Sequence, residues 1–409
     1  MPKSTHFSGQ PLYGQVIKLL DKSKILDFSR KNGGERYTKR FNCWIHLTVM
    51  LYAVIMRFDS LREITASLLA ETRKLAHLGI TFKIGRSTLA DANKRRPEAI
   101  FESIYRDLYV TYRHVLSSDS CSRKTPKWMK RLHIIDSTTI TLFSNLLFKG
   151  VGRHPKTGKK KGGIKVHTVI HANEGVPSDI KFTSAATNDS FMLKPTTLSK
   201  GDIMAMDRAY IDYEKFQQLT ERDVIYVTKM KRNLKYSVLS DTMYQTPDGL
   251  MEVRIQNVEF VKQIKGGETI RHKSCIITYV DVKKHKLISL LTNDMDSDPN
   301  EIIAIYRQRW EIELLFKQMK QNFPLKYFYG ESANAIKIQI WVTLIANLLL
   351  MVLQKGLKRK WSFSGLATMV RITLMYYVDF YSLFNNPEKE WEIMLSEASG
   401  APPEPSLFD

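Results

Sequence analysis

The spacing of apolar positions predicts helices over residues 1 to about 125. The run FNCWIHLTVMLYAVIMRF predicts a buried helix, and SLREITASLLAE and RSTLADANKRR predict two shorter helices separated by a break at Gly79. We expect Ser60 to cap the first of these short helices, with Glu63 completing a capping box, and Ser87 to cap the second. This arrangement is typical of a helix-turn-helix unit, although any three-helix bundle shares it.

From about residue 130 the hydrophobic period changes to that of β-strands. The segments RLHIIDSTTITLF, GIKVHTVIHAN and VPSDIKFTSA predict three strands, the last two joined by a turn at Gly175. A short helix over 189–198, the strand DIMAMD, the helix DYEKFQQLTE and the strand VIYVTKM follow. Three strands in a meander, then helix, strand, helix and strand, is the order of the RNase H-like α/β fold.

The second half of the chain departs from this pattern and then becomes helical. Residues 232–292 alternate in polarity and predict an inserted antiparallel subdomain. A long helix is predicted next, with Asp298 as N-cap and Pro299 at the first helical position, ending near Asn322. The apolar run Ile338–Leu353 has about 16 residues, fewer than the roughly 20 of a membrane span, so it predicts a buried core helix.

These patterns divide the chain into four predicted parts. Residues 1–125 form an all-helical N-terminal domain, which we expect to bind DNA ends. Residues 126–231 and 293–355 form an α/β, RNase H-like core of the retroviral integrase type, and 232–292 form its β-rich insertion. Residues 356–409 form a helical C-terminal region with an acidic tail.

The charge of the chain predicts a polyanionic partner. Its 409 residues include 62 Lys+Arg and 41 Asp+Glu, a net charge of +21. A basic protein of this kind usually binds nucleic acid, and a merely solvated basic surface is the alternative. The three widely spaced cysteines exclude a disulfide framework and a CxxC-type zinc site, which fits a reducing compartment. The chain starts without an apolar signal region, so we expect a cytoplasmic protein, associated with the bacterial nucleoid and with no membrane partner.

Two basic segments are predicted to contact DNA phosphates. The segment KGVGRHPKTGKKKGGIK, residues 149–165, has seven Lys or Arg and no acid. It suits a phosphate-binding loop, although a solvated basic loop has the same composition. The second segment is the helix from Arg86 to Arg96, of which Arg86, Ser87 and 93–96 are candidates for reading DNA. The main DNA-binding candidates in the two segments are Arg153, Lys159, Lys160, Lys161, Lys165, Arg86 and Arg95.

Three acidic residues are placed where an α/β fold carries chemistry. Asp136 and Asp207 each follow an apolar run, so both are predicted at strand ends, where open α/β sheets place their sites. Glu313 lies on the predicted long helix, on which Tyr306, Arg309, Glu313 and Lys320 fall within an arc of roughly 60°. A turn aspartate or a solvated helix face would explain any one of these residues, but not the ordered set.

Three carboxylates brought together are typical of two-metal phosphoryl transfer. Such carboxylates repel one another and take up protons unless cations neutralise them. Mg²⁺ binds carboxylate and phosphate oxygens, and two ions about 3.5–4 Å apart stabilise the attacking and leaving oxygens of an in-line displacement. Water as the nucleophile nicks a DNA strand, and a DNA 3′-hydroxyl joins one strand to another.

With these motifs the sequence resembles the DDE transposases of the IS-four family of bacterial insertion sequences. The resemblance rests on Asp136 in IIDSTT, Asp207 in MDRAY and the helix motif Tyr-x2-Arg-x3-Glu-x6-Lys, and it covers about residues 1–355. It implies that Asp136, Asp207 and Glu313 are catalytic and bind two Mg²⁺ ions, which Mn²⁺ is able to replace. It further implies that Tyr306, Arg309 and Lys320 contact phosphates of the transposon end.

The implied activity is cut-and-paste movement of an insertion sequence. The expected partners are double-stranded DNA, both as terminal inverted repeats and as target, and a second copy of the chain on paired DNA ends. The β-rich insertion contains no Trp, which some family members stack on a flipped base, so Tyr279 or Phe260 is the candidate for that role. Two alternatives stay open: a non-catalytic DNA-binding regulator derived from a transposase, and a stand-alone RNase H-like nuclease.

Overall fold

The computed structural model describes residues 10–117, 125–141, 163–185, 187–245, 252–263, 269–281 and 285–389, together with 392 and 395. The chain divides into two compact units. The first, called the helical unit here, comprises residues 1–112 and 318–409. The second, called the sheet unit, comprises residues 113–317. The predicted four-part division is finer than these two units and stays a prediction.

The described helices fall mainly at the two ends of the chain, as the hydrophobic periodicity predicts. They are α1 (Leu12–Ile17), α2 (Lys22–Lys31), α3 (Cys43–Met56), α4 (Leu61–Ala70), α5 (Thr72–Ala76), α6 (Arg86–Arg95), α7 (Ala99–Leu116), α8 (Tyr213–Glu221), α9 (Pro299–Gln308), α10 (Trp310–Asn322), α11 (Ala333–Lys355), α12 (Phe363–Thr373) and α13 (Phe380–Asn385).

The described strands form one large mixed sheet. They are β1 (Leu132–Thr141), β2 (Gly163–His171), β3 (Pro177–Ser184), β4 (Ile203–Met206), β5 (Ile225–Lys229), β6 (Ser237–Gln245), β7 (Glu252–Gln263), β8 (Thr269–Asp281) and β9 (Lys286–Thr292). Their spatial order is β3-β2-β1-β4-β5-β9-β8-β7-β6. The predicted mixed α/β architecture with N-terminal helices is therefore confirmed.

The centre of the sheet is parallel and its flanks are antiparallel. Strand β1 pairs in parallel with β4, and β4 in parallel with β5. The parallel pairing of β1 and β4 ends with Ile135 opposite Met206. Strand β1 continues past this point, antiparallel to β2, as far as Thr141. The prediction that Asp136 ends its strand is therefore wrong, because the partner β2 holds Asp136 and the residues after it in extended backbone.

The β-rich segment extends the same sheet. Strand β9 pairs antiparallel with β5 from Val227 opposite Thr292 to Lys229 opposite Leu290, and β8, β7 and β6 follow outward. The outermost strand, β6, has almost all of its side chains exposed. The predicted β-rich, antiparallel character of the segment is confirmed.

A hydrophobic cluster binds α8 to one face of the sheet. Phe216 of α8 stacks on Tyr226 of β5 with ring centroids 4.0 Å apart, and both are fully buried. Ile135 and Met206 join this cluster, as does Phe260 of β7. Phe260 and Tyr279 are 1% and 3% exposed. The expectation that one of them stacks on a flipped base is wrong, because both side chains fill the protein interior.

The helical unit is organised around two apolar helices, α3 and α11, which pack against each other. Helix α11 is long and apolar enough to cross a membrane, but 89% of its most apolar stretch is buried inside the structure. The prediction of a buried core helix over 338–353 is confirmed. The polar side chains of α11 are used inside the unit, as when Gln339 donates to the Pro324 and Tyr327 carbonyls and accepts from the Tyr329 N–H.

Helix starts follow the predicted capping residues with one exception. The Ser60 hydroxyl accepts from the Glu63 N–H, and Glu63 accepts from the Asp59 N–H, so the predicted cap is confirmed with its return bond one residue earlier. Asp298 caps α9 by accepting from the Asn300 N–H. Ser87 is not a cap, because α6 starts at Arg86 with a glycine at its N-cap and no side-chain bond there.

Two predicted helices differ in form. The segment predicted as one helix over 189–198 consists of two short 3₁₀ turns, Asp189–Met192 and Pro195–Thr197, because Pro195 lacks the N–H that a continuous helix needs. The predicted long helix from Pro299 to Asn322 is divided into α9 and α10, with Arg309 between them.

We predict that Phe216→Ala destabilises the sheet unit by about 3–5 kcal/mol, because it removes a fully buried ring and leaves a cavity beside Tyr226. Leu287→Ala, at a side chain that is 70% exposed on β9, is the matched control and is expected to cost less than about 1 kcal/mol. Equal losses in urea unfolding of the two variants would contradict this picture of the core.

Candidate active site

The register of β1 and β4 brings two aspartates side by side. Asp136 directly follows Ile135 and Asp207 directly follows Met206, the last pair of the parallel ladder. Because side chains alternate along a strand, Asp136 lies on the face opposite to Ile135 and to the α8 cluster. Asp207 leaves the sheet at this point and caps a short 3₁₀ turn, its carboxylate accepting from the Ala209 N–H at 3.4 Å.

Helix α9 brings a cation to these carboxylates. It packs against β4 and β5, and Arg309 follows its last residue. The Arg309 Nη2 atom lies 2.7 Å from Glu313 Oε1, and its Nη1 atom lies 3.8 Å from Asp136 Oδ2. The Arg309 side chain is only 13% exposed. One largely buried guanidinium therefore bridges a carboxylate of the sheet and a carboxylate of the helix.

Tyr306 completes this group on the last turn of α9. The Arg309 guanidinium carbon lies 5.7 Å from the centre of the Tyr306 ring. Burial raises the pKa of the Tyr306 hydroxyl, the Arg309 charge opposes that rise, and the charges of Asp207 and Glu313 add to it. The structure thus brings together five of the sequence-predicted residues: Asp136, Asp207, Tyr306, Arg309 and Glu313.

The electrostatics of Asp136 reflect a crowded acidic site. Burial raises the pKa of its carboxyl to about 6; the Ser137 N–H bond and Arg309 lower it, and the charges of Asp207 and Glu313 raise it further. The Ser137 N–H donates to Asp136 Oδ1 at 2.7 Å. An additional cation at this position would favour the ionised form of Asp136.

The donor chemistry of the three carboxylates fits a hard divalent cation, since all three offer oxygen ligands. Their spacing is not that of a closed metal site. In the described part of the chain, no three His, Cys, Asp or Glu side chains are grouped closely enough to hold a metal ion. Arg309 occupies the position between Asp136 and Glu313 and supplies the positive charge there.

A fourth carboxylate beside the site was missed by sequence reasoning. Asp189, in the turn after β3, accepts a hydrogen bond from the Ser137 hydroxyl at 2.6 Å. It also pairs with Lys165 at 3.1 Å. The Lys165 ammonium in addition donates to the Thr187 carbonyl at 2.8 Å, and its side chain is 13% exposed. Only the three-dimensional proximity of β1, β2 and this turn identifies Asp189, because nothing in its local sequence is distinctive.

The remaining predicted contacts are spread over the chain. Lys320 lies on α10 seven residues after Glu313, in the part of that helix that belongs to the helical unit, and burial lowers the pKa of its ammonium. Arg153, Lys159, Lys160 and Lys161 lie outside the described residues.

The basic helix α6 presents only some of its candidates to solvent. Arg86 and Arg95 are exposed, and Arg95 lies 3.4 Å from Asp91. Asn93 is buried and shares a hydrogen bond of 2.8 Å with His46, while Arg96 is 6% exposed. The prediction that Asn93 and Arg96 read the DNA sequence is not supported, because both side chains are buried in the helical unit.

The segment that contains the carboxylates of the candidate site matches a known protein family. The sequence profile described as the Transposase DDE domain matches residues 127–349, more than half of the chain, a range that includes Asp136, Asp189, Asp207 and Glu313. The chain belongs to the DDE transposase family. A second profile, described as a domain of unknown function, DUF4372, matches residues 8–81 in the helical unit.

Related proteins carry the same assignment. A putative transposase, y4zB, from Sinorhizobium fredii is 29% identical over 268 residues, which cover 66% of this chain and 71% of the relative. A probable transposase for insertion sequence element IS5377 from Geobacillus stearothermophilus is 24% identical, covering 70% of this chain and 72% of that protein. A putative transposase for element IS4SA from Synechocystis is also 24% identical, covering 65% and 71%. The resemblance to the IS-four transposases is confirmed, and the chain is a DNA transposase.

The raised pKa of Asp136 leads to a pH-dependent stability that Asp136→Asn removes. Between about pH 4 and pH 6 the folded transposase binds a proton that the unfolded chain has lost, so this carboxyl destabilises the fold as pH rises. Without metal ions, we expect the variant to gain up to about 3 kcal/mol relative to wild type between pH 4 and pH 7.

Urea unfolding in EDTA across this pH range measures the effect. The matched control is Asp296→Asn, the same substitution at an exposed position before α9. A constant difference between Asp136→Asn and wild type over the whole range would contradict the proposed state of the Asp136 carboxyl.

Proposed function

We propose that this transposase moves an insertion sequence by cut-and-paste transposition. In this proposal it hydrolyses phosphodiester bonds at the element's ends and then transfers the freed 3′ ends to target DNA. The observation that carries the proposal is the position of Asp136 and Asp207 directly after the last β1–β4 pair, with Glu313 joined to Asp136 through Arg309. This arrangement supports the assignment of these three residues as the catalytic carboxylates.

The sheet topology supports an RNase H-like core of the integrase type. Strands β1 to β3 form an antiparallel meander, and β4 and β5 add in parallel on the other side of β1. A meander followed by these two strands matches the order of strands that the sequence predicts for this fold. Strands β6 to β9 then correspond to the insertion between the second aspartate and the glutamate.

Membership of the DDE family implies dependence on a divalent metal ion. We propose that the ion is Mg²⁺, with Mn²⁺ able to replace it, and that Asp136, Asp207 and Glu313 hold two ions. When bound, they would activate the attacking oxygen and stabilise the leaving one. The chain's own part is to present three carboxylates from rigid elements and to place Tyr306 and Arg309 beside them.

DNA contacts follow from the distribution of cations. We propose that Arg309, with Tyr306, binds a phosphate of the transposon end, because its guanidinium already lies among the site's carboxylates and carries a fork suited to phosphate. Other proposed contacts are Lys320, Arg153, Lys159, Lys160, Lys161, Lys165, Arg86 and Arg95. Lys165 pairs with Asp189 and Arg95 pairs with Asp91, so a phosphate would compete with these carboxylates for both cations.

The proposal also covers the oligomeric state of the protein and its location in the cell. Two ends of an element must be cut and joined together, so we propose a homodimer on paired inverted repeats. A cytoplasmic, nucleoid-associated protein fits the net charge of +21 and the burial of α11, its one long apolar helix in the described part of the chain. The alternatives are a regulator that binds the ends without cutting and a stand-alone RNase H-like nuclease.

We predict that Asp136→Asn, Asp207→Asn and Glu313→Gln each reduce Mg²⁺-dependent cleavage of a supercoiled plasmid carrying the element's ends by at least about a hundredfold, because each removes a metal ligand. Binding of the uncut ends should persist in all three variants. Asp296→Asn is the control of equal charge change and should cut as wild type does.

The same assay separates the alternatives. Cleavage that Asp136→Asn leaves undiminished would overturn the active-site assignment. Wild-type protein that binds the ends but never cuts them with Mg²⁺ would favour the regulator. Preference for branched or hybrid junctions over matched ends, measured by competition, would favour the stand-alone nuclease.

A further inference from the structure

The helical unit contains an open basic cavity that shares no residue with the carboxylate site. Its volume is about 900 Å³, and its walls are the loop that joins α2 to α3, residues 33–41, and the helix α6, with Phe82 and Lys83 between them. We call this cavity the basic groove. All of its lining residues belong to the helical unit.

The residues that line the basic groove carry an excess of positive charge. Six of its lining residues are Lys or Arg and one, Asp91, is acidic. Asp91 pairs with Arg95, whereas the loop cations Arg36, Lys39 and Arg40 are exposed and have no carboxylate partner among the described residues. The positive charges of this lining greatly outnumber the negative ones, so the groove would attract a polyanion.

Tyr37 projects from the same loop in an unusual way. Its side chain is 88% exposed, and its backbone has a φ of 61°, in the left-handed region that non-glycine residues rarely adopt. The Arg36 guanidinium carbon lies 5.7 Å from the centre of its ring. Non-glycine residues with left-handed backbone occur preferentially at functional sites, and an exposed aromatic ring on such a residue is available to contact a ligand.

The loop is held in place by buried bonds. Arg96, at the end of α6, donates from Nε to the Gly34 carbonyl at 3.2 Å and from Nη2 to the Phe41 carbonyl. Glu35 accepts from the Ser29 hydroxyl and from the Cys43 N–H, both at 2.7 Å. The two walls of the groove are therefore tied together, and the loop cations keep a fixed relation to α6.

Arg96 also has an unused donor at the groove. Arg96 is only 6% exposed, it lines the cavity, and its Nη1 atom has no acceptor among the described residues. At the opposite end of α6, the N-cap Gly85 supplies no side-chain bond to the first-turn N–H groups. An anion could accept a hydrogen bond from the free Arg96 donor. An anion could also accept from the first-turn N–H groups of α6.

From these observations we propose that the basic groove binds the phosphate backbone of double-stranded DNA. In this arrangement Arg36, Lys39 and Arg40 neutralise phosphates, and the Tyr37 ring packs on the adjoining sugar. The inference rests on the proposed function, since a transposase must hold DNA outside its cleavage site. It gives a role to the loop at 33–41, which lies within the 8–81 match of otherwise unknown function.

The test compares two triple variants of the full-length protein. The groove variant is Arg36→Gln, Lys39→Gln and Arg40→Gln; the control is Lys22→Gln, Arg62→Gln and Arg73→Gln, which removes the same charge from exposed positions outside the groove. Fluorescence anisotropy measures binding of a labelled duplex across a salt series in EDTA, where cleavage is suppressed. Circular dichroism and thermal melting check that both variants fold.

The groove variant should bind the duplex at least about tenfold more weakly than the control. Its log–log salt slope should fall by about 0.9 for each phosphate that the protein no longer neutralises. Because phosphates carry no sequence information, affinity should decrease equally for element ends and for unrelated duplex DNA.

Tyr37 provides a second measurement that does not involve charge. We expect Tyr37→Ala to weaken binding severalfold without changing the salt slope, and Tyr37→Phe to bind as wild type does, because the ring and not the hydroxyl makes the contact.

Two outcomes overturn the inference. One is a groove variant whose affinity and salt slope match those of the control. The other is a groove variant that binds a labelled single strand of the same sequence more weakly than the control does but binds the duplex as tightly as the control. Either leaves the proposed function intact if wild-type protein still cuts the element's ends with Mg²⁺. Wild-type protein that binds no DNA at all overturns both proposals.

Discussion

The parallel ladder between β1 and β4 is the constraint on which the site depends. Because Ile135 lies opposite Met206, the next residues of the two chain segments, Asp136 and Asp207, lie close together, and their negative charges repel each other. The fold tolerates this because α9 delivers Arg309 to the same place, where it contacts Asp136 and Glu313. Strand register, helix position and charge balance are thus parts of one arrangement, and a shift in any of them would leave carboxylates uncompensated.

The chain uses arginine in the same way in both of its units. Arg309 is a largely buried cation that joins a strand to a helix through two carboxylates. Arg96 is a buried cation that joins a helix to a loop through two backbone carbonyls, 62 and 55 residues earlier in sequence. In each case the planar guanidinium bridges two elements at once, which a lysine could not do with the same geometry. The excess of positive charge is therefore partly internal structure and not only surface.

Much of the fold and the proximity of Asp136, Asp207 and Glu313 could be predicted from the sequence, and the errors have physical causes. Asp136 and Asp207 are found because each follows an apolar run that only a buried strand explains. The predicted strand end at Asp136 is wrong because a sequence does not reveal that β2 keeps pairing beyond β4. Alternation places Phe260 on one face of β7, but it does not tell which face is covered by α8. Arg96 resembles the surface cations beside it until Gly34 and Phe41 are brought to it by folding.

The continuity of the sheet has a practical consequence for following this protein in solution. Strand β9 returns the chain to β5 through three residue pairs and delivers it to α9, so the path to Glu313 is fixed at that point. From β8 through β7 to β6, at the edge of the sheet, fewer side chains are buried, and those of β6 are almost all exposed. A fluorophore or a short fusion peptide attached near β6 would allow the protein to be detected in solution without disturbing the geometry of the carboxylates.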